Sequence, residues 1–272
     1  MPDDRDGREE KGAAVDSAAV ATPALGERLE RAYARIDAAE FVAGDPVQFP
    51  RRYSRPEDIE VAGILCATLA WGRRASILSS CRRLLESMGD SPYRYVMENG
   101  RNPSLQTGKA VHRTFSQSDL AFFLAGLRGV YCRYGSLEAV FAPRGGERGL
   151  WDGIVRFREQ MLAAVGDYPL GRHISCPQRG SACKRLHLFL RWMVRREGGI
   201  DLGLWEGVRP SDLSMPLDVH VGRVSRSLGL LTRRQNDRGA VEELDRVLRR
   251  YDPSDPVKYD LALFSLGESG VL

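Results

Sequence analysis

The stretch PQRGSACKRLHLFLRWM, residues 177–193, places a glycine-containing turn directly before an amphipathic helical pattern. Large apolar residues recur at the i, i+3, i+4, i+7 spacing, which predicts one buried helix face. This face consists of Leu186, Phe189, Leu190 and Met193. At about 100° per residue, Lys184 lies on the opposite face, together with Arg191 and Arg195. We expect Ser181 to cap the helix at its start.

Helical patterns continue on both sides of this stretch. Ser54 precedes the segment EDIEVAGILCATLAW, which is apolar nearly all round and is therefore expected to form a central, buried helix. Ser118 is the expected N-cap of a further helix that ends at Gly135. Other helices are expected at about 74–88, 92–99, 136–142, 148–165, 218–229, 237–251 and 255–267. No segment alternates strongly enough to predict a strand, so the sequence predicts an all-α protein.

Composition limits the class of protein. The chain has 272 residues, 43% hydrophobic residues and a formal net charge of +4. No apolar run approaches the roughly 18 residues that span a bilayer. The acidic residues 1–24 lack the apolar core of a signal peptide and are expected to form a disordered tail. We therefore expect a cytoplasmic protein without a membrane partner. The five cysteines form no C-x-x-C pair, so neither a metal site nor a disulfide framework is expected.

The charge is distributed unevenly along the chain. Residues 171–234 contain twelve Lys or Arg and five Asp or Glu residues, a net formal charge of +7. A basic segment within a nearly neutral protein is typical of proteins that bind a polyanion such as nucleic acid. The same charge could equally belong to a cationic face that contacts only solvent.

Lys184 occupies an unusual position for a lysine. It lies in the first turn of its helix, where a cation opposes the helix dipole, and the arginines expected nearby also disfavour its charge. Both effects favour the neutral amine that a nucleophilic lysine requires. The backbone N–H groups at this helix start could hold a phosphate. The alternative is an ordinary surface lysine that contacts a phosphate or solvent.

A second informative stretch, MPLDVHVGRVSRSLG, covers residues 215–229. Asp218 follows Pro216 and begins a helix in a largely apolar setting. Such a carboxylate could stabilise positive charge on a sugar ring, although an ordinary N-cap has the same pattern. His220, Arg223 and Arg226 are candidate partners of this carboxylate or of a phosphate.

Both stretches resemble motifs of the endonuclease III superfamily of helix-hairpin-helix DNA glycosylases. GSACKRLHLFL is similar to the pattern L-P-G-V-G-x-K-T-A, with Gly180 at the first hairpin glycine and Lys184 at the catalytic lysine. LDVHVGRVSRSLGL is similar to V-D-T-H-V-x-R-V-x-x-R-L-G-L, with Asp218 at the catalytic aspartate. The 34-residue spacing between Lys184 and Asp218 is closer to that of archaeal 8-oxoguanine glycosylases.

From about residue 26, the chain also resembles an uncharacterised bacterial domain-of-unknown-function family. The shared runs are residues 180–185, 189–195, 216–220, 255–260 and 262–267. The chain departs from the glycosylase pattern at Ala182, which replaces the second hairpin glycine. It has no cysteine after Cys183, so no iron–sulfur cluster is expected.

The resemblance implies a two-lobed fold with the active-site cleft between the lobes. One lobe would cover about 60–195, including the hairpin at 177–193, and the other about 25–59 and 216–272. The catalytic residues would be Lys184 and Asp218. The DNA-binding residues would be Arg179, Gly180, Ser181, Ala182, Arg185, Arg191, His220 and Arg223. A base pocket would involve Trp71, Arg73 and Trp192.

The activity that the resemblance implies is base-excision repair. A monomeric glycosylase and AP lyase would act on damaged duplex DNA that carries an oxidised base such as 8-oxoguanine, without a cofactor. Two alternatives stay open at this point: a non-catalytic nucleic-acid-binding protein of the same fold, and a helical protein with an unrelated small-molecule role.

Overall fold

A computed structural model describes residues 21–147 and 149–268. It confirms the all-α prediction, because no described residue belongs to a strand longer than an isolated bridge. The helices are α1 (Pro23–Ala34), α2 (Ala38–Ala43), α3 (Pro56–Leu69), α4 (Arg74–Met88), α5 (Pro92–Asn99), α6 (Gln117–Tyr134), α7 (Leu137–Phe141), α8 (Trp151–Ala163), α9 (Lys184–Val194), α10 (Val219–Ser227), α11 (Arg238–Leu248) and α12 (Lys258–Glu268). The predicted disordered tail lies mainly outside the described residues, and α1 already includes its last two positions.

The helix starts follow the predicted capping chemistry only in part. The hydroxyl of Ser91 accepts a hydrogen bond from the Arg94 backbone N–H at the start of α5. The prediction for α6 is wrong by two residues, since Ser116 and not Ser118 is the N-cap. Ser116 and Asp119 form a capping box in which each side chain accepts from the other's backbone N–H. Ser54 is not a cap either, because α3 begins after Arg55 without a side-chain cap.

Helix α3 lies at the centre of the molecule, as its all-round apolar pattern predicts. Eleven of its 14 residues are buried, and it packs against α9, α4 and α5. α6 packs against α8, α5 and α7, while α12 packs against α1 and α10. One cluster of buried side chains extends from Leu29 to Leu266. The division into two lobes therefore stays a prediction. None of the described helices is long and apolar enough to cross a membrane.

The contact between α7 and α8 depends on a glycine. A Cβ atom at Gly153 would collide with the backbone of Phe141, whose Cα would lie only 2.9 Å away. We expect Gly153→Ala to lower the free energy of unfolding by about 1–3 kcal/mol, because a backbone cannot move aside as a side chain can. Urea denaturation would measure the change.

Gly145→Ala is the matched control for this prediction. Gly145 is exposed, and a Cβ atom there would meet nothing within 4 Å. Its free energy of unfolding should change by no more than ~1 kcal/mol. Equal effects of the two substitutions would contradict the proposed steric cause.

Candidate active site

The fold brings Lys184 and Asp218 together, although 34 positions separate them in the sequence. The Lys184 Nζ atom lies 3.8 Å from Asp218 Oδ2. The two side chains remain 30% and 39% exposed, so this is not a buried ion pair. An amine and a carboxylate at this separation can exchange a proton after a small movement and can both contact one bound group.

Three helix ends meet at this pair. Lys184 is the first residue of α9, and Asp218 is the N-cap of α10. Helix α3 ends beside them, and the Ala70 carbonyl accepts a hydrogen bond from Lys184 Nζ at 3.2 Å. A lysine is favourable at this helix C-terminus, where carbonyl groups lack helical partners. This contact fixes the position of the amine relative to Asp218.

Asp218 is held on two sides. Its Oδ1 atom accepts a hydrogen bond from the Val221 backbone N–H at 2.9 Å, which is the ordinary N-cap contact. Its backbone carbonyl accepts from the Asn236 side-chain amide at 2.8 Å. Asn236 in turn accepts from the Arg226 guanidinium at 2.7 Å. The N-cap contact uses one carboxylate oxygen, so Oδ2 can face Lys184.

A pocket of about 180 Å³ opens beside this pair. Its apolar lining includes Phe41, Ile77, Leu188, Val221, Leu261 and Phe264. Its charged lining consists of Asp45, Arg74, Lys184, Arg191, Asp218 and Asp260. Apolar walls with a few convergent polar groups are typical of ligand sites. Burial raises the pKa of Asp260 above its usual range, and burial likewise raises the pKa of Asp45.

Comparison with known protein families matches residues 45–269 to one family, described as a protein of unknown function (DUF2400). The chain belongs to this family. The matched region contains Lys184, Asp218 and every residue of the pocket lining except Phe41. No curated protein and no solved structure matched the chain. The expected membership of an uncharacterised family is thereby confirmed.

Two arginines of this DUF2400 protein are not where the helical pattern predicts. Arg191 is 2% and Arg195 1% exposed, so the expectation that Arg191 contacts DNA from an exposed helix face is wrong. Arg191 forms ion pairs with Asp201 and Asp260, and Arg195 with Asp201 and Asp255. A buried guanidinium requires such partners, and the sequence pattern did not indicate them. Both guanidinium groups are held in buried ion pairs, although Arg191 lines the pocket beside Lys184 and its Nη2 atom has no hydrogen-bond partner among the described residues.

The three residues expected in a base pocket do not line the pocket. Trp192 is fully buried in the core, so its assignment to a base site is wrong. Trp71 and Arg73 lie in the extended turn after α3, where Ala70, Gly72 and Arg74 face the pocket instead. Trp71 is half-buried. The Arg113 guanidinium lies over its ring, with the guanidinium carbon 4.7 Å from the centre of the Trp71 ring.

The tight turn expected at Gly180 before α9 is present, and it uses two of its own backbone N–H groups. Gly180 adopts the left-handed conformation, with φ 78°, and its N–H donates to the Pro177 carbonyl. The N–H of Ser181 donates to the Cys176 carbonyl, so these two groups are already used within the turn. Cys183 and not Ser181 occupies the N-cap position, in a left-handed conformation with φ 49°. Ala182 is buried.

Other expected DNA contacts differ in their availability. Arg185 donates to the Thr68 and His173 carbonyls, which holds its guanidinium inside the protein. His220 packs against Phe264 of α12, and its Nε2 atom is buried without a hydrogen-bond partner among the described residues. Arg179 and Arg223 are exposed. These two are the expected phosphate contacts that the structure leaves accessible.

Ion pairs with acidic residues outside residues 171–234 offset part of the regional charge of +7. These pairs are Arg172 with Asp119, Arg191 with Asp260, Arg195 with Asp255, and Arg233 with Asp237. The charge of this segment is therefore a weaker argument for a polyanion partner than the sequence indicates. Within residues 21–147 and 149–268, no cluster of three or more His, Cys, Asp or Glu side chains could hold a metal ion.

The pocket-lining residues that sequence reasoning missed include Phe41, Asp45, Arg74, Asp260 and Phe264. Asp260 and Phe264 fall within the runs DPVKYD and ALFSLG, which could have marked them as candidates. Phe41 and Asp45 gave no such signal, because only the packing of the N-terminal segment against α12 brings them to the site. The Phe41 and Phe264 rings meet edge to face, with centres 5.8 Å apart.

Proposed function

We propose that this protein is a DNA base-excision glycosylase with AP lyase activity, in which Lys184 is the nucleophile and Asp218 the catalytic carboxylate. The observation that carries the proposal is the 3.8 Å separation of Lys184 Nζ and Asp218 Oδ2 beside a pocket of about 180 Å³. The motif resemblance supports it, because the same two residues match the superfamily's lysine and aspartate. The substrate would be an oxidised base, such as 8-oxoguanine, in duplex DNA.

The first chemical step is displacement of the base. The damaged nucleotide flips out of the duplex, at a free-energy cost that is lower for a weakened base pair. The neutral Lys184 amine attacks C1′ of the sugar while the bond from C1′ to the base nitrogen breaks. The bonding electron pair leaves with the base, which takes up a proton. Asp218 stabilises the positive charge that develops on the sugar and accepts a proton from the attacking amine.

The second step would cut the strand. When the sugar ring opens, the bond between Lys184 and C1′ becomes a Schiff base and O4′ takes up a proton. Loss of a proton from C2′ then expels the 3′ phosphate by β-elimination, and hydrolysis of the imine releases Lys184. Arg179 and Arg223 are exposed and could position the DNA by contacting its phosphates.

Borohydride trapping tests the proposal directly. Wild-type protein mixed with duplex DNA containing an abasic site or 8-oxoguanine should give a covalent adduct, since borohydride reduces the Schiff base to a stable amine. Mass spectrometry should locate the adduct at Lys184. Lys184→Gln should abolish it, whereas Lys109→Gln, which removes an exposed lysine outside the pocket, should not.

The other outcomes distinguish the alternatives. Salt-dependent DNA binding without an adduct would overturn the enzyme assignment in favour of a nucleic-acid-binding protein. Absence of DNA binding at low salt would overturn both and favour a small-molecule role. An adduct that persists in Lys184→Gln would refute Lys184 as the nucleophile.

A further inference from the structure

The pocket beside Lys184 and Asp218 has the size and walls for one flat ring system. Its volume of about 180 Å³ is below the roughly 300–1,000 Å³ of pockets that hold drug-sized ligands. Phe41 and Phe264 form an aromatic wall, and the Arg74 guanidinium lies 5.1 Å from the Phe264 ring centre. Aromatic rings and guanidinium planes are the surfaces on which nucleobases stack.

Asp45 supplies the pocket with a hydrogen-bond acceptor. Its Oδ1 atom accepts from the Val47 backbone N–H at 2.9 Å. Its Oδ2 atom takes part in no hydrogen bond or ion pair with any other described residue. By contrast, Asp260 is paired with Arg191, and Asp218 faces Lys184.

The surroundings of Asp45 favour a ligand that donates hydrogen bonds. Burial raises the pKa of this carboxyl group more than the nearby charges of Arg191 and Arg74 lower it, which means that its charged form lacks full solvation. A ligand N–H that reaches Oδ2 would compensate for the lost solvation. Because an ionised carboxylate only accepts hydrogen bonds, it selects ligands by the donors on their edge.

Nucleobases differ in the donors that they present to such a group. Guanine carries adjacent N1–H and N2 amino donors, and 8-oxoguanine retains both. Adenine has an acceptor at N1, and hypoxanthine lacks the N2 amino group. Oxidised thymine and uracil bases present a single N–H between two carbonyl oxygens, and oxidised cytosines that keep the amino group present that donor beside an acceptor nitrogen. A carboxylate therefore fits the guanine-type edge best, since both donors can approach it together.

We propose that Asp45 recognises the N1–H and N2 amino edge of a flipped-out guanine-type base, so that the pocket selects oxidised guanine over adenine and oxidised pyrimidines. This inference rests on the proposed glycosylase function. In this arrangement the base stacks on the face of one of the Phe41 and Phe264 rings and meets the edge of the other, with its sugar towards Lys184 and Asp218. Asp45 binds the base and takes no part in the bond-breaking step.

Excision assays with matched substrates test this inference. The wild-type protein should excise 8-oxoguanine faster than 8-oxohypoxanthine, which lacks only the N2 amino group. Asp45→Asn retains side-chain volume and the cap contact to Val47 but loses the charge and one acceptor. It should excise 8-oxoguanine about 10- to 100-fold more slowly and lose the preference between the two substrates.

Trapping at an abasic site separates this inference from the proposed function, because an abasic site contains no base to recognise. Asp45→Asn should form this adduct as efficiently as the wild-type protein, which also establishes that the variant folds. Asp37→Asn, at the exposed N-cap of α2, should behave as wild type in every assay.

Three results would overturn the inference. One is excision of 8-oxoguanine by Asp45→Asn at the wild-type rate. Another is a wild-type protein that forms the abasic adduct but excises no guanine-type base. Either of these leaves the lysine chemistry intact. Absence of any wild-type adduct would instead refute the proposed function, and the inference with it.

Discussion

Asp218→Asn is expected to slow base excision by about 100- to 10,000-fold, the usual range for loss of a catalytic acid or base. The carboxylate of Asp218 would stabilise charge on the sugar and remove a proton from Lys184, and a neutral amide does neither. Single-turnover excision assays at saturating protein would measure the loss separately from any change in DNA affinity.

Asparagine makes this substitution diagnostic because it is as good an N-cap as aspartate. The hydrogen bond from the Val221 N–H can be retained, so the melting temperature should change little. Asp237→Asn is a closely matched control: Asp237 caps α11 with nearly the same backbone angles as Asp218 and also accepts from the third following N–H. An Asp218→Asn variant as active as Asp237→Asn would remove the carboxylate from the mechanism.

Asp201→Ala is expected to give the largest loss of stability, about 3–5 kcal/mol in the free energy of unfolding. The Asp201 side chain is fully buried and forms ion pairs with both Arg191 and Arg195. Its removal leaves Arg191 with Asp260 and Arg195 with Asp255 as their remaining acidic partners, so the desolvation of the two buried guanidinium groups is only partly compensated. A loss of this size lowers the melting temperature of a protein of this length by roughly 6–20 °C.

The matched control removes an acid from an exposed pair. Glu206 lies 3.4 Å from Arg196, and both side chains are more than half exposed. Glu206→Ala should change the free energy of unfolding by no more than ~1 kcal/mol, because water solvates the remaining charge. Thermal and urea denaturation of the two variants would make the comparison. Equal effects would mean that the buried network contributes nothing beyond a surface pair.

The buried network also marks where sequence reasoning reached its limit. The helical pattern of α9 correctly predicts that Leu186, Phe189, Leu190 and Met193 are buried. It predicts Arg191 and Arg195 as exposed, because a periodicity argument assigns charged residues to the solvent face. Both are buried, since Asp201, Asp255 and Asp260 arrive from later segments and pair with them. Local pattern carries no information about partners that distant segments supply.

The candidate site also has one part that the local sequence pattern predicts and another part that only the packing of distant segments decides. Lys184 and Asp218 could be selected from their own neighbourhoods, because each stands at a helix start with a recognisable motif. The pocket that they share could not be predicted, since Phe41 and Asp45 come from the N-terminal segment while Asp260 and Phe264 belong to the last helix. The prediction of Trp71 as a base-pocket residue is wrong, because the turn after α3 places Ala70 and Gly72 in the pocket lining and leaves the Trp71 ring outside it.

By itself, the sequence determined the helical class, most helix boundaries and the two residues that stand at helix starts, because these depend on contacts within a few residues along the chain. The tertiary structure decided which charges are buried, which residues line the pocket and how far the Lys184 amine lies from the Asp218 carboxylate. These properties arise where segments far apart in the chain pack together, and burial and electrostatic pairing are set only by that packing.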